Sequence, residues 1–321
     1  MAKRVLMFPG QGSQYIGMGK EFYDNFAEAK EVFDLAEKAT GLDIAKLCFE
    51  ENDRINITEY TQICMLTEEV ALLKVLQAKG FTFDVCAGLS LGEYAAVVAS
   101  GAMSMEDAFK VVRARGKYMQ EAVPVGGAMN AVIGLDPEVI ENVCAEVQAA
   151  GEEEGASKDF PEGLPYVVSV ANYNNPKQTV ITGRKDAVEK AAAILAQKGA
   201  LKCVPLNVSG PFHSKLLEGA GEKLGEVLAD VALNDVAIPY VANTTAEYVT
   251  DKADIKDLLV RQVSSSVRFT QTIELLMKDG ADEFVEVGPG HTLTGFVKKI
   301  DRGLKTANID TFEDFEKYLA Q

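Results

Sequence analysis

Apolar positions in this chain fall into short continuous runs and longer stripes of helical spacing. Residues 4–8 (RVLMF) form an apolar run that stops at Pro9-Gly10 and predict a short strand. Residues 21–40 carry Phe22, Phe26, Ala29, Val32, Phe33 and Ala36 at helical intervals and predict one amphipathic helix packed on a sheet. Residues 58–79 predict another, with Thr58 as its N-cap and Gly80 past its end. Residues 81–87 (FTFDVCA) read as a short buried strand, and 93–99 (EYAAVVA) as the start of a helix. Residues 104–121 predict a helix with a Ser104 cap and early acids. Its apolar face holds Ala108, Val111, Val112 and Met119. Arg115 lies four residues from Val111 and Met119 and three from Val112, so it shares that inward face, whereas Arg113 points elsewhere.

The composition changes near Pro124-Val125-Gly126-Gly127. Beyond it the pattern is strand (128–133), helix (136–150), strands (166–173 and 178–182), helix (186–198) and strand (201–206). That βαββαβ order is ferredoxin-like. The acidic, Gly-containing stretch 151–165 reads as an exposed loop inside it. Further on come a helix over 215–229, a strand over 236–241, helices over 255–263 and 269–278, a strand over 283–287, and a helix from Gly288-Pro289-Gly290 to about 300. The division that follows is a large domain from 1–126 and 207–321, with a small subdomain, 127–206, inserted in it. No internal repeat or low-complexity tract is visible.

The candidate chemistry centres on Gly88-Leu89-Ser90-Leu91-Gly92. This is G-x-S-x-G between a predicted strand and a predicted helix, the context in which a serine is held on a strained turn at a helix N-terminus. Pro9-Gly10-Gln11-Gly12-Ser13-Gln14 follows the first strand. A plain turn needs only Gly and Pro; the glutamine amides could also order the loop and set a backbone N–H facing the serine. A serine nucleophile needs a base, and the chain has only two histidines, His213 and His291. His213 follows the rigid Gly210-Pro211-Phe212 and is favoured. His291 sits at a helix start, where the dipole disfavours an imidazolium. No acid stands out between Ser90 and His213, and a base so far before the end of the chain counts against an ordinary α/β-hydrolase esterase. An inward Arg115 requires an anion. Helix periodicity alone favours a structural pair with Glu93 or Glu121; the functional alternative is a fork for a substrate carboxylate.

Bulk properties narrow the classes. In 321 residues the formal net charge is −16, which argues against nucleic acid and an anionic membrane surface as partners. The five cysteines, Cys48, Cys64, Cys86, Cys144 and Cys203, form no C-x-x-C and suit a reducing cytoplasm. The opening apolar run is too short for a signal sequence, and no stretch is long enough to span a membrane. The expected location is therefore cytoplasmic.

Several motifs together resemble the malonyl-CoA:acyl carrier protein transacylases of type II fatty acid synthesis and the acyltransferase domains of polyketide synthases. They are FPGQGSQ (8–14), GLSLGEY (88–94), RGKYMQ (115–120), NYNNPKQ (172–178), GPFHS (210–214), RQ (261–262) and EVGPGHTLTG (286–295). They run in family order across nearly the whole chain. The resemblance implies an α/β fold: a large α/β-hydrolase-like domain with a parallel sheet, plus the small ferredoxin-like subdomain. It implies that Ser90 accepts the acyl group, that His213 is its base, and that the backbone carbonyl of Gln262 orients the imidazole. The backbone N–H groups of Gln11 and Leu91 would form the oxyanion hole. Arg115 would pair with the malonyl carboxylate, Asn174 would lie near the acyl or pantetheine path, and Phe212 matches members that take malonyl rather than methylmalonyl.

The implied reaction is ping-pong transfer from malonyl-CoA to the phosphopantetheine thiol of acyl carrier protein, with no metal or redox cofactor and the enzyme acting as a monomer. Many members have a histidine where this chain has Leu89; altered packing with retained activity is expected. Because carrier proteins are acidic, a local basic patch is needed, with Arg184, Lys185, Lys202, Lys215, Lys298 and Lys299 as candidates. The rival readings are a serine thioesterase or other hydrolase, a non-enzymatic binding module, and a free-standing acyltransferase of a polyketide synthase.

Overall fold

The computed structural model describes residues 3–154 and 163–320. Its strands are β1 (Lys3–Phe8), β2 (Val85–Gly88), β3 (Gly127–Ile133), β4 (Val168–Asn175), β5 (Gln178–Arg184), β6 (Lys202–Pro205), β7 (Tyr240–Val241), β8 (Tyr248–Val249), β9 (Ala281–Val287) and β10 (Lys305–Ile309). Two sheets result. One has the order β10-β9-β1-β2-β7-β8 and is parallel except for the β7–β8 pair. The other has the order β4-β5-β3-β6 and is antiparallel throughout.

The centre of the parallel sheet is covered on both faces, which is why its strands read as unbroken apolar runs. Alternation along β1 sends Leu6 and Phe8 into one core cluster and Val5 and Met7 into the other. The helix Thr58–Ala78 sits in the first cluster and is buried over most of its surface, so it is a core helix rather than an amphipathic one. The helices Gly92–Ala99 and Met105–Ala122 pack beside it.

The antiparallel sheet realises the βαββαβ order. Its helices Pro137–Glu154 and Lys185–Gln197 bury Ile140, Val143, Val147, Val188 and Leu195 against Val132 and Ile181 of the sheet. Met129, Ala131 and Val180 face the main core instead. β4 is also stitched to the segment after the helix Ile255–Gln262. Tyr173 N–H donates to the Val267 carbonyl at 2.8 Å, and Val267 N–H donates to the Ala171 carbonyl at 2.8 Å.

Several sequence expectations are corrected. The single helix expected over 21–40 is two, Lys20–Asn25 and Ala27–Thr40. Phe26 between them is extended (φ −128°, ψ 125°), and its ring packs on Phe22, Phe312 and Phe315. Thr58 is not an N-cap: Ile57 holds that position, and the Thr58 hydroxyl serves Gln11 and Ser209 instead. The strand expected over 81–87 begins only at Val85, and that over 236–241 only at Tyr240. The helices Ile44–Phe49 and Phe312–Leu319, together with β8 and β10, were not anticipated. Of the expected loop 151–165, the first part continues the helix to Glu154, and 155–162 lie outside the described residues. Ser104 does cap its helix, accepting from Asp107 N–H. All five cysteines are free.

Candidate active site

β2 delivers the chain to Gly88, and the helix Gly92–Ala99 leaves from Gly92. The turn between them forces Ser90 to a left-handed φ of 55°. Both glycines are obligatory. A Cβ on Gly88 would lie 2.0 Å from the Gly92 carbonyl carbon, and one on Gly92 would lie 2.1 Å from the Phe8 carbonyl oxygen. Asn243, just after β7, braces the turn: Ser90 N–H donates to Asn243 Oδ1 at 2.6 Å, and Asn243 Nδ2 donates to the Gly88 carbonyl at 2.6 Å.

His213 approaches from the loop after β6, itself at φ 59°. Its Nε2 lies 2.7 Å from Ser90 Oγ. Its Nδ1 faces two carbonyls, Gln262 O at 2.9 Å and Ser265 O at 3.1 Å. Carbonyls only accept, so this network assigns the proton to Nδ1 and leaves a lone pair on Nε2 toward the serine hydroxyl. Burial, reinforced by Arg115, pushes the imidazole pKa down to about 4, against the pull of the two carbonyls. The ring is therefore neutral at pH 7. His291 is exposed, caps the helix Thr292–Ile300 and has no bond to Ser90.

Arg115 is buried, as its helix position predicts, but its partners are not those that periodicity favoured. Its Nη1 donates to Gln62 Oε1 at 2.7 Å and its Nη2 to Gln262 Oε1 at 2.8 Å; Nη2 also reaches Ser90 Oγ at 3.2 Å. The guanidinium lies over the Tyr94 ring, 5.1 Å from its centroid. Among the described residues no carboxylate forms an ion pair with it, and its Nε has no acceptor. Glu121 stands 4.0 Å from Lys117, and Glu93 turns to Gln262 and Asn243. A buried cation held only by neutral oxygens offers its remaining charge to an anion.

The Gln11 loop lies against the serine turn: a Cβ on Gly10 would sit 2.6 Å from the Leu89 carbonyl oxygen. Glutamine amides do order it. Gln11 Nε2 donates to Thr58 Oγ1 at 2.9 Å, Gln14 Oε1 accepts from Gly12 N–H at 2.8 Å, and Gln14 Nε2 donates to Asn56 Oδ1 at 3.0 Å. Among the described residues the backbone N–H groups of Gln11 and Leu91 have no acceptor in the turn and loop network.

A cavity of about 290 Å³ opens onto Ser90 and His213 and is lined by Gln11, Asn174, Phe212 and Phe296 among others. A larger one of about 460 Å³ lies between the helix Pro137–Glu154 and β4, away from Ser90, so convergence of polar groups rather than size singles out the site. Asn174 Oδ1 is buried there without a partner. Leu89 also lines the serine cavity.

Sequence reading missed Gln62, Asn243 and the side chain of Gln262. None lies in a local pattern that reports a contact so distant in the chain. Among the basic candidates for carrier docking, Arg184 is withdrawn: it is buried and bonded to Asp186 at 2.8 Å. The ammonium of Lys298 is used on the carbonyls of Arg302 and Leu304. Lys185, Lys202, Lys215 and Lys299 are exposed.

Residues 5–313 match the family model of the acyl transferase domain. The chain is 42% identical over 318 residues to the malonyl CoA-acyl carrier protein transacylase of Bacillus subtilis (strain 168), covering 98% of this chain and 96% of that one. It matches the crystal structure of MCAT from Streptococcus pneumoniae with a TM-score of 0.91 at 44% identity, over 99% of both chains. It matches equally, with a TM-score of 0.91 at 36% identity over 99% of both chains, a solved type II PKS acyl-carrier protein in complex with its malonyl-transacylase. The serine turn, the imidazole beside it and the near-complete span of these likenesses agree: the chain belongs to the acyl transferase domain family.

Proposed function

We propose that this chain transfers the malonyl group of malonyl-CoA to the phosphopantetheine thiol of an acyl carrier protein in fatty acid synthesis. The observation that carries this reading is the convergence on Ser90 Oγ of a neutral imidazole at 2.7 Å and, at 3.2 Å, a buried guanidinium with no carboxylate bonded to it among the described residues. The first makes an alcohol nucleophilic; the second selects an acyl group that ends in a carboxylate.

In the first half-reaction Arg115 receives the malonyl carboxylate. Ser90 Oγ attacks the thioester carbonyl as His213 Nε2 takes its proton. The oxyanion is held by the N–H groups of Gln11 and Leu91, with each donor contributing about 3–4 kcal/mol in a comparable site. The tetrahedral adduct collapses, the C–S bond breaks, and CoA leaves as a thiol with the proton from His213. In the second half-reaction the carrier thiol gives its proton to His213 and attacks the malonyl-serine, and Ser90 recovers its proton as it leaves. Gln262 O keeps the imidazole in the required tautomer. Asn174 and Phe212 line the acyl path. The chemistry calls for no metal or redox group: malonyl-CoA is a substrate and the pantetheine belongs to the partner. In this reading 1–126 and 207–321 form the lobe that bears the nucleophile, and 127–206 form one wall of the cavity. The five free cysteines suit work in the cytoplasm.

Intact-mass measurement tests the reading. Malonyl-CoA should give a stable acyl adduct on the wild type and none on Ser90→Ala, and addition of holo carrier protein should discharge it. Rapid hydrolysis without an acceptor would make the protein a thioesterase instead. The likeness to the polyketide carrier complex supports a second reading in which the acceptor is a polyketide carrier protein; relative discharge by the two kinds of carrier decides between them.

A further inference from the structure

Glu93 is buried and sits three residues beyond the serine. Its Oε1 accepts from Asn243 N–H at 3.3 Å, and its Oε2 accepts from Gln262 Nε2 at 2.6 Å. The same Nε2 donates to the Ser90 carbonyl at 2.7 Å. Gln262 Oε1 then faces Arg115 Nη2 at 2.8 Å, while the Gln262 backbone carbonyl holds His213 Nδ1 at 2.9 Å. One residue thus touches the serine turn, the imidazole and the guanidinium, and Glu93 touches that residue.

A glutamine amide can sit either way round, and its neighbours decide which way. Here the Ser90 carbonyl, which only accepts, selects the NH₂ end, and Glu93, whose pKa burial raises to about 7, adds a second acceptor on the same NH₂ group when ionised. A flipped amide would set oxygen against both and set NH₂ against the Arg115 N–H. We propose that Glu93 is a positioning residue for acyl selectivity: its carboxylate fixes the Gln262 amide so that a carbonyl oxygen, not an NH₂ group, steers Arg115 for a carboxylate-bearing acyl group.

The isosteric change Glu93→Gln is the discriminating one. The carboxylate gives one oxygen to each of two donors, Asn243 N–H and Gln262 Nε2. A glutamine has a single acceptor oxygen, so one donor must face an NH₂ group. If that is Gln262, its amide turns over and repels Arg115; if it is Asn243, the brace on the serine turn loosens. A hydrogen bond to a charged group contributes about 1.5–3 kcal/mol, which corresponds to about 10- to 100-fold.

The inference rests on the reading of Arg115 as the carboxylate fork, so the test includes both residues. Single-turnover acylation of the intact chain by malonyl-CoA and by acetyl-CoA is measured for wild type, Glu93→Gln, Glu93→Asp and Arg115→Ala, with thermal melting of each. The expected result is a malonyl-to-acetyl preference at least about tenfold lower in Glu93→Gln, expressed in the malonyl KM. Glu93→Asp keeps two carboxylate oxygens and should recover part of it. A merely structural role would lower the melting temperature and both acylation rates alike, leaving their ratio fixed; that outcome overturns the proposal. An unchanged ratio in Glu93→Gln together with a collapsed ratio in Arg115→Ala also overturns it while sparing the fork. An unchanged ratio in Arg115→Ala removes the fork reading itself, and this inference with it. Should Glu93→Gln not fold, a ratio in Glu93→Asp equal to that of wild type overturns the proposal and a reduced one supports it.

Discussion

Ser90 and His213 both hold left-handed backbone conformations, φ 55° and 59°, and meet through a 2.7 Å contact between Oγ and Nε2. Non-glycine residues rarely adopt this region, and the cost is about 1–2 kcal/mol each. Two strained residues from sites 123 positions apart are thereby held in register by the surrounding fold.

The strain at the serine can be separated from its chemistry. Ser90→Gly and Ser90→Ala should both lack the acyl adduct. Ser90→Gly relieves the left-handed cost and should exceed Ser90→Ala in stability by roughly 1 kcal/mol. Urea melts of the two inactive variants check this; equal midpoints would show that the turn carries no strain.

The pH dependence follows from His213. Its folded pKa lies near 4, below the ordinary histidine value, because burial and then Arg115 disfavour the imidazolium. Between those two values the unfolded chain binds a proton that the folded chain does not. The stabilising contribution of this residue is therefore complete above pH 6.5 and is lost as pH falls toward 4. For catalysis, the acid limb of kcat/KM should lie well below 6.5, and Arg115→Ala should move it upward. With only two histidines in the chain, an NMR titration resolves His213 directly.

Arg115→Ala should lower malonyl acylation by about 100-fold, the cost of removing one side of a buried charge-assisted pair. Acetyl acylation should fall far less, so relative acetyl activity rises. Parallel progress curves with the two thioesters provide the measurement.

Gly92→Ala should fail to give folded protein or lose more than about 4 kcal/mol. The added methyl would stand 2.1 Å from the Phe8 carbonyl oxygen and 2.6 Å from that of Pro9, and backbone on both sides cannot give way. Expression yield and denaturant midpoint report it.

Glu68 and Glu69 are fully buried, and none of their carboxyl oxygens has a partner among the described residues. Burial raises both pKa values, aided by Asp310 at Glu68 and by Glu68 and Glu286 at Glu69. The folded state therefore keeps protons that the unfolded chain gives up above the ordinary carboxyl range, and stability falls as pH rises. Glu68→Gln with Glu69→Gln should flatten that fall, melting near the wild type at pH 4 and above it at pH 8. Calorimetry at the two pH values tests the difference.

What the sequence revealed follows the range of the interactions involved. β1 and the antiparallel unit were legible because a short apolar run and stripes of helical spacing are local patterns. The serine turn was legible because Gly88 and Gly92 have no substitute there, and His213 because the chain offers only one other imidazole. The inward direction of Arg115 could be read from helix spacing, but its partners could not. Gln62, Asn243 and Gln262 meet it or the serine turn across 53 to 172 residues, and no periodicity encodes such a meeting. Arg184 was misread as a surface charge because its pairing with Asp186 depends on the bend where β5 passes into a helix. The break at Phe26 was invisible because the rings that favour it belong to a helix nearly three hundred positions later.

The stitch between β4 and Val267 has a mechanical consequence. It ties the antiparallel sheet to Val267, two residues past the short span, 262–265, whose carbonyls grip the imidazole. If that sheet swung outward as a door, it would drag those carbonyls off Nδ1 and spoil the tautomer at each cycle. On the proposed reaction, a route for substrates through the cavity lined by Gln11 and Phe212 leaves that grip intact, whereas such a swing would not.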